Sequence, residues 1–267
     1  MLKVAIAGAA GRMGRMLVNL VMQADDMELS GALEIAGNSL LGKDAGAVAC
    51  GKDAGVLITD DLKEALAGAD VVINFSTGGV LPVARFATAA GAAVVIGTTA
   101  IPAEEKEEIA GLVETAGARI VMAPNMAIGV NLLFYLAKLT ASKLGSDYDI
   151  EIVEMHHRNK KDAPSGTALR LAEVVCEARE LECADALRHG RNGITGTRTT
   201  AEVGMHSLRG GDVVGDHTVV FAADGERIEL VHKASSRESF AKGALTAARF
   251  LADAAPGIYD MQDVLGL

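Results

Sequence analysis

Three glycines near the start of the chain, with the spacing G-x-x-G-x-x-G, restrict its fold more than any other feature. Gly8, Gly11 and Gly14 follow an apolar run at residues 4–7 and begin a segment of helical periodicity. The apolar positions of that segment are Met13, Met16, Leu17, Leu20 and Val21. A strand, a glycine turn and a helix in this order are typical of sites where the pyrophosphate of a dinucleotide rests on a helix N-terminus. The commoner spacing is G-x-G-x-x-G, so a purely structural turn remains the alternative here.

An acidic residue closes the second predicted strand. Residues 27–33 have strand character and Glu34 follows them, about 20 positions beyond Gly14. At that distance a carboxylate is expected to accept hydrogen bonds from the hydroxyls of the adenosine ribose. The acid therefore strengthens the prediction of a dinucleotide site.

Short apolar strands alternate with helical segments as far as residue 126. We predict further strands at 56–59, 70–75, 93–96 and 120–123, helices at 61–67, 81–90 and 101–116, and a long loop at 36–55. This alternation predicts an α/β fold with a Rossmann-type parallel sheet. The helix that follows, at 128–144, is expected to bury an apolar face made of Leu132, Leu133, Leu136, Ala137 and Leu139.

The pattern changes in the second half of the chain. Short strands are predicted at 203–207, 213–214, 218–222 and 227–232, separated by Gly and Asp turns. They indicate a second, smaller α+β domain with a mixed sheet. A helix at 238–253 is expected to return to the first domain. The predicted domains are residues 1–126, completed by 237–267, and residues 127–236.

The most unusual stretch of the chain is EIVEMHHRNKKDAPSGT, at residues 151–167. It begins as a strand, brings five potential cations together, and ends in a turn that starts a helix. The cations are His156, His157, Arg158, Lys160 and Lys161, in a chain whose net charge is -10. Cations at a strand end beside a helix N-terminus favour a small ligand with more than one negative charge. A solvated basic turn is the alternative.

Composition excludes several other classes of function. Trp is absent, aromatic residues make up 3% of the chain, and the balance of charge is acidic. These features argue against nucleic acid and against anionic membranes as partners. Cys50, Cys176 and Cys183 have no C-x-x-C spacing, so we expect thiols in a reducing compartment, the cytoplasm, and no metal site.

The remaining titratable residues give weaker signals. His189, His206, His217 and His232 are scattered and are interpreted as structural. Glu154 and Asp162 flank the cationic cluster and could orient it. The turn Arg209-Gly210-Gly211-Asp212 could order a mobile loop, with a plain surface turn as the alternative.

Several stretches together resemble the dihydrodipicolinate reductase family, whose members are also called 4-hydroxy-tetrahydrodipicolinate reductases. The matching pieces are VAIAGAAGRMGR, INFS, VIGTT, MAPNMAIGVN, EIVEMHHRNKKDAPSGTAL, SLRGGDVVGDHTVVFA and ERIELVHKASSR, which span nearly the whole chain. The run E-x-H-H-x-x-K-x-D-A-P-S-G-T-A is far more specific than any glycine fingerprint. The resemblance implies a homotetramer that reduces 4-hydroxy-tetrahydrodipicolinate, a small dicarboxylate, with NADH or NADPH in lysine and diaminopimelate biosynthesis.

The same resemblance implies a role for individual residues. His156 and Lys160 are the implied catalytic residues, and the implied substrate-binding residues are His157, Lys160, Gly166, Thr167 and Thr99. The second domain would bind substrate and build the tetramer. The implied cofactor-binding residues are Gly8, Gly11, Arg12, Met13, Gly14, Glu34, Phe75, Gly97, Thr98, Thr99, Ala123, Pro124, Asn125 and Met126.

The chain departs from many relatives at Ile35, where they carry an arginine that can pair with the 2′-phosphate of NADPH. NADH is therefore the expected preference, with some NADPH activity left because Arg12 or Lys43 could reach that phosphate. Two other functions stay open. A non-catalytic NAD(P)-sensing regulator would not need a proton donor in the cationic cluster. Another two-domain dehydrogenase, such as one acting on aspartate semialdehyde, would need a nucleophilic cysteine in an active-site loop.

Overall fold

The computed structural model describes residues 1–99 and 101–267. They form two compact units, one of Met1–Ile128 with Glu238–Leu267 and one of Gly129–Arg237. The chain thus leaves the first unit at residue 128 and returns to it at residue 238.

Strands and helices alternate through the first half of the chain. In order, they are β1 (Leu2–Ala7), α1 (Arg12–Gln23), β2 (Met27–Leu33), α2 (Ala45–Cys50), β3 (Ile58–Thr59), α3 (Leu62–Leu66), β4 (Val71–Asn74), α4 (Val80–Ala89), β5 (Ala93–Ile96), α5 (Ala103–Ala116) and β6 (Arg119–Met122). Most boundaries lie within two residues of the predicted ones.

The second unit contains one long helix followed by a sheet with a helical insertion. Its elements are α6 (Ile128–Lys143), β7 (Asp149–His156), α7 (Gly166–Ala178), α8 (Cys183–Ala186), β8 (Leu187–His189), β9 (Val203–Arg209), β10 (Gly215–Ala223) and β11 (Glu226–Ala234). The chain then returns to the first unit with α9 (Glu238–Asp253), β12 (Gly257–Tyr259) and α10 (Met261–Leu265).

The sheet of the first unit has seven parallel strands in the order β12-β6-β5-β4-β1-β2-β3. Strands β4 and β5 are buried along their whole length, because helices cover both faces of the sheet. Helices α1 and α9 contribute to the core on one face, and α4 and α5 to the core on the other. The first unit therefore has the doubly wound α/β fold predicted from the sequence.

The sheet of the second unit has five strands in the order β11-β10-β7-β9-β8. Strand β10 is antiparallel to both β11 and β7, whereas β7, β9 and β8 run parallel to one another. The prediction of a mixed sheet is confirmed. No helix in residues 1–99 and 101–267 is long and apolar enough to cross a membrane.

Some local predictions were wrong. The predicted loop at 36–55 contains α2, whose small residues give no periodic signal; Asp44 caps it by accepting a hydrogen bond from Ala47 N at 2.9 Å. The predicted strand at 213–214 is irregular, and the short elements α8, β8, β12 and α10 were missed.

The predicted buried face of α6 is also partly wrong. Leu133 and Ala137 are buried, but Leu132, Leu136 and Leu139 are exposed in the single chain. The helix is apolar over more of its circumference than its neighbours in the chain cover, and periodicity alone does not show which part of such a helix is covered.

Candidate functional site

The glycine turn after β1 leaves the N-terminus of α1 open. Gly8 has φ +83°, in the left-handed region that favours glycine. A Cβ built on Gly14 would lie 2.0 Å from Gly8 O, so α1 can approach the turn only because residue 14 has no side chain. Gly11 is the N-cap, and no side chain in the described part of the chain caps the helix. The first N–H groups of α1, which include those of Arg12 and Met13, therefore lack a capping side chain among the described residues, and uncapped helix N-termini are the kind that can bind an anion.

The acid predicted to hold the ribose lies against this turn. Glu34 Oε2 accepts a hydrogen bond from Ala10 N at 2.9 Å, and Glu34 Oε1 accepts one from Ile35 N at 3.0 Å. Both contacts fix the carboxylate at the carboxyl end of β2, next to the glycine turn. The side chain of Ile35 is 59% exposed.

The loops after β4 and β5 lie against each other. A Cβ at Gly97 would lie 2.2 Å from the ring of Phe75, so the ring occupies the space that residue 97 leaves. Thr98 Oγ1 donates a hydrogen bond to Ser76 O at 2.8 Å. Glycine at position 97 is therefore needed for this close approach.

The predicted cofactor residues lie in the loops at the carboxyl ends of β1, β2, β4, β5 and β6 or, for Arg12, Met13 and Gly14, in the first turn of α1, which follows the loop after β1. These strands are neighbours in one parallel sheet, so their carboxyl ends share one edge. The loops after β5 and β6 carry Thr99, Ala123, Pro124, Asn125 and Met126. The glycine turn, the uncapped N-terminus of α1 and the carboxylate of Glu34 together fit a dinucleotide.

In the second unit, β7 ends at His156 beside a buried carboxylate. His156 Nδ1 lies 2.6 Å from Glu154 Oε2, and Glu154 has no solvent exposure. Because the strand ends at His156, the next histidine, His157, lies in the loop, and the two need not point to opposite faces.

The same carboxylate binds three further donors. Arg209 donates to both of its oxygens, each at 2.9 Å, and the backbone N–H of Ser165 donates to Oε1 at 3.2 Å. Burial alone would raise the pKa of Glu154, but the hydrogen bonds from Arg209 and His156 outweigh it and hold that pKa below its ordinary value. Glu154 therefore stays ionised.

A second histidine packs against His156. The rings of His156 and His217 meet edge to face with centroids 5.3 Å apart, and His217 is 3% exposed. Burial, with a smaller effect of His156, lowers the pKa of His217 to about 4, so that it is neutral at pH 7. Its Nε2 lies 3.1 Å from Ser165 Oγ, which also caps α7 by accepting from Ala168 N.

The loop after β7 holds the remaining predicted substrate residues. Lys160 Nζ lies 2.8 Å from Asp162 Oδ2. His157 Nδ1 is buried and has no hydrogen-bond partner among the described residues. Gly166 and Thr167 are the first residues of α7, so their backbone lies at a helix N-terminus.

A second carboxylate cluster on β7 has similar chemistry but lies apart from His156. Glu151 accepts hydrogen bonds from Arg191 and Arg198, and its Oε2 lies 2.8 Å from His206 Nε2. Burial alone would raise the pKa of Glu151, but these contacts lower it to about 2. They attach the segment at 191–198 to the sheet.

Sequence reasoning understated two residues of the His156 cluster. Arg209 was interpreted only as part of a polar turn, and His217 as one of four scattered structural histidines. Both are brought to the cluster by strand pairing, because His156 lies opposite Arg209 on β9 and Glu154 lies opposite His217 on β10. Pairing over more than 50 residues has no local signal.

Two family models match almost the whole chain. The model described as "Dihydrodipicolinate reductase, N-terminus" matches residues 2–126, and "Dihydrodipicolinate reductase, C-terminus" matches residues 129–265. A 4-hydroxy-tetrahydrodipicolinate reductase of Anaeromyxobacter dehalogenans is 50% identical, with 100% of this chain and 98% of the relative covered. One from Herminiimonas arsenicoxydans is 49% identical with the same coverage.

Solved structures are similar to this chain as well. A dipicolinate-bound dihydrodipicolinate reductase from Paenisporosarcina sp. TG-14 has a TM-score of 0.78 at 26% identity, covering 98% of both chains. GenD2 from gentamicin A biosynthesis, in complex with NAD, has a TM-score of 0.61 at 14% identity over 99% of this chain and 90% of its own. The second similarity is one of fold alone.

Proposed function

This chain belongs to the dihydrodipicolinate reductase family of oxidoreductases, and we propose that it reduces 4-hydroxy-tetrahydrodipicolinate to tetrahydrodipicolinate with NAD(P)H. The product lies on the route to diaminopimelate and lysine. One structural observation supports the proposal independently of the names of the relatives. A histidine whose Nδ1 contacts a buried carboxylate lies at the start of a cationic loop that ends at a helix N-terminus.

The first unit is proposed to bind the dinucleotide. Gly8, Gly11 and Gly14 allow its pyrophosphate to approach the backbone, and the N–H groups of Arg12 and Met13 meet its charge. Glu34 accepts from the ribose hydroxyls. The remaining proposed contacts come from Phe75, Gly97, Thr98, Thr99, Ala123, Pro124, Asn125 and Met126, in the loops at the same edge of the sheet.

The second unit is proposed to bind the substrate, whose two carboxylates need two anion sites. The N–H groups at Gly166 and Thr167 supply one of them. Lys160, with His157, supplies the other, and Lys160 exchanges its contact with Asp162 for one with the substrate. A regulator that only sensed NAD(P) would need neither of these two anion sites.

The reaction consumes NAD(P)H and a proton and yields tetrahydrodipicolinate, NAD(P)⁺ and water. Bound nicotinamide supplies the hydride. The substrate loses its 4-hydroxyl and a ring proton as water, which leaves a conjugated imine. Hydride addition to this imine leaves negative charge on the substrate, which an acid must neutralise. His156 is the proposed acid, giving its Nε2 proton to the substrate, while Lys160 stabilises the charge as it develops.

The cofactor preference is proposed to be NADH, with NADPH activity retained. Glu34 accepts from ribose hydroxyls but repels a 2′-phosphate, and Ile35 offers that phosphate no charge. One charge-assisted hydrogen bond is worth about 1.5–3 kcal/mol, which corresponds to roughly 10- to 100-fold in affinity. Arg12 and the exposed Lys43 can narrow that difference.

Replacing Ile35 by arginine tests the cofactor proposal. The side chain is exposed, so Ile35→Arg should raise kcat/KM for NADPH more than for NADH without disturbing the core. Ile258→Arg is the matched control, because Ile258 is 42% exposed on β12 at the opposite edge of the same sheet. An unchanged protein that prefers NADPH severalfold would contradict the argument from Ile35.

Assembly and location are further parts of the proposal. A homotetramer is supported by the exposed leucines Leu132, Leu136 and Leu139 on α6, an apolar surface that association would cover. Light scattering of the purified chain measures its mass directly. A cytoplasmic location is supported by three unpaired cysteines.

An absorbance assay of the reduced nicotinamide tests the activity itself, with condensed pyruvate and aspartate semialdehyde as the source of substrate. The unchanged chain should oxidise NADH only when substrate is present. His156→Gln should lower kcat by roughly 10²- to 10⁴-fold with little change in KM. His189→Gln, at an exposed histidine on β8, is the control. No substrate-dependent oxidation by the unchanged chain would refute the proposal.

A further inference from the structure

One buried carboxylate determines which nitrogen of His156 can face a substrate. Glu154 Oε2 lies 2.6 Å from His156 Nδ1, and the carboxylate has no solvent exposure. A neutral imidazole in this contact carries its proton on Nδ1, because the ionised carboxylate is only an acceptor. The nitrogen left to exchange a proton is Nε2.

The residue beside Nε2 in the neighbouring strand is a glycine. Gly215 begins β10, and a Cβ built on it would lie 3.0 Å from His156 Nε2. A side chain at position 215 would therefore crowd the nitrogen. His217 packs against the ring of His156 but stays neutral at pH 7, since burial lowers its pKa to about 4. It adds no like charge that would oppose a protonated His156.

The other contacts of Glu154 reach beyond the histidine. Its Oε1 accepts from Ser165 N, in the turn that starts the proposed substrate-binding helix α7. Arg209 donates hydrogen bonds to both carboxylate oxygens of Glu154. It also donates one to Asp162 O at 2.7 Å, in the loop that carries Lys160. Three segments of the proposed substrate site therefore depend on one carboxylate.

We propose that Glu154 is the positioning residue of this enzyme, holding His156 so that Nε2 delivers the proton and keeping the start of α7 in register with it. Arg209 fixes Glu154 in turn. When His156 gives its Nε2 proton to the substrate, the imidazole becomes neutral and keeps its Nδ1–H bonded to Glu154. The proposal rests on His156 being the proton donor.

Glu151 provides a control on the same strand. Its carboxylate also forms contacts with two arginines and a histidine. These partners are Arg191, Arg198 and His206, so Glu151 does not contact His156. Replacing either glutamate by glutamine removes one charge from a similar cluster on β7. Only the change at Glu154 should affect the chemistry.

Kinetics of the full chain as a function of pH separate the two cases. The titratable and charged groups around His156 are Glu154 on β7, Arg209 on β9, His217 on β10, and Lys160 and Asp162 in the loop after β7. Glu154→Gln should lower kcat about 10- to 100-fold, less than loss of the acid itself, and should leave KM nearly unchanged. The alkaline limb of its kcat/KM profile should move to lower pH than in the unchanged enzyme, because a protonated imidazole loses its counter-charge.

Two further variants complete the experiment. Glu151→Gln should reduce thermal stability and leave kcat and the pH profile as they are. Glu154→Asp keeps the charge, so its alkaline limb should return towards that of the unchanged enzyme even though the shorter side chain restores only part of kcat. If folded Glu154→Gln gave the same kcat and alkaline limb as Glu151→Gln, the proposal would be overturned.

Nitrogen-15 NMR of the unchanged protein tests the same point without a variant that must fold. Above the alkaline limb, His156, assigned by its absence in His156→Gln, should be the Nδ1–H tautomer. Finding the Nε2–H tautomer would overturn the positioning role. The tautomer is independent of turnover, so failure of the proposed function, seen as no NADH oxidation, is distinguishable from failure of this inference.

Discussion

The buried His217 should make the stability of the second unit depend on pH between 6.5 and about 4, a window that extends above the range where carboxylates titrate. Its side chain is 3% exposed, and its Nδ1 has no hydrogen-bond partner in the described residues. Burial, and to a smaller extent His156, lower its pKa from 6.5 to about 4. The imidazole of His217 is therefore protonated at a higher pH in the unfolded chain than in the folded chain.

The sign and size of the effect follow from that difference. Between pH 6.5 and about 4 the unfolded state binds a proton at His217 that the folded state does not, so the free energy of unfolding falls as pH falls. The stability is complete above pH 6.5 and is lost progressively down to pH 4. At 1.36 kcal/mol per pKa unit, the loss is about 3 kcal/mol.

Urea unfolding at several pH values, followed by circular dichroism, measures this loss. His217→Gln removes the titrating group, so its free energy of unfolding should fall less steeply between pH 6.5 and 4 than that of the unchanged chain. The difference between the two proteins should change by up to about 3 kcal/mol. His232, whose pKa burial also lowers, is present in both proteins and cancels.

The exposed His189 supplies the control, because His189→Gln also removes one imidazole from the second unit. Its curve should follow that of the unchanged chain. Parallel curves for His217→Gln and the unchanged chain across this range would refute the reasoning, because a neutral buried histidine cannot be present without that difference in slope.

Three other changes test separate parts of the molecule. Gly14→Ala should abolish NADH binding in calorimetry, because its Cβ would lie 2.0 Å from Gly8 O, whereas Gly111→Ala in α5, with open space around it, should bind normally. Lys160→Ala should raise KM and lower kcat together in the steady-state assay; a loss of thermal stability alone would make the loop structural. Truncation after Ser236 should give insoluble protein, since α9 supplies Ala244, Leu251 and other core residues to the first unit, and a soluble truncate that bound nucleotide would contradict this.

Local periodicity was sufficient to predict most elements of the first unit. Strand β5 and helix α9 have the predicted boundaries, because each has apolar positions at the spacing of its own element. Helix α2 was missed because its small residues have no such spacing and its capping contacts come from the single side chain of Asp44. Periodicity detects elements that cover a core with large side chains, and fails for those that use capping instead.

The wrong prediction for the exposed face of α6 has a different cause. A helical pattern shows which residues share a face, but not whether another part of the chain packs against that face. Leu133 and Ala137 are buried, whereas Leu132 and Leu136, on an adjacent part of the helix, are exposed. Which apolar residues are covered is therefore a property of the tertiary structure, and the sequence contains it only indirectly.

The period of two along β7 contains more information than the prediction used. Ile150, Ile152 and Glu154 alternate with less buried residues, so the glutamate occupies the position of a core side chain. A carboxylate in such a position is stable only with cationic and N–H partners, and His156, two residues further along, lies on the same face. The pattern thus predicts a buried Glu–His pair with a further cation. Only the pairing of β7 with β9 identifies that cation as Arg209, which lies opposite His156 in the sheet.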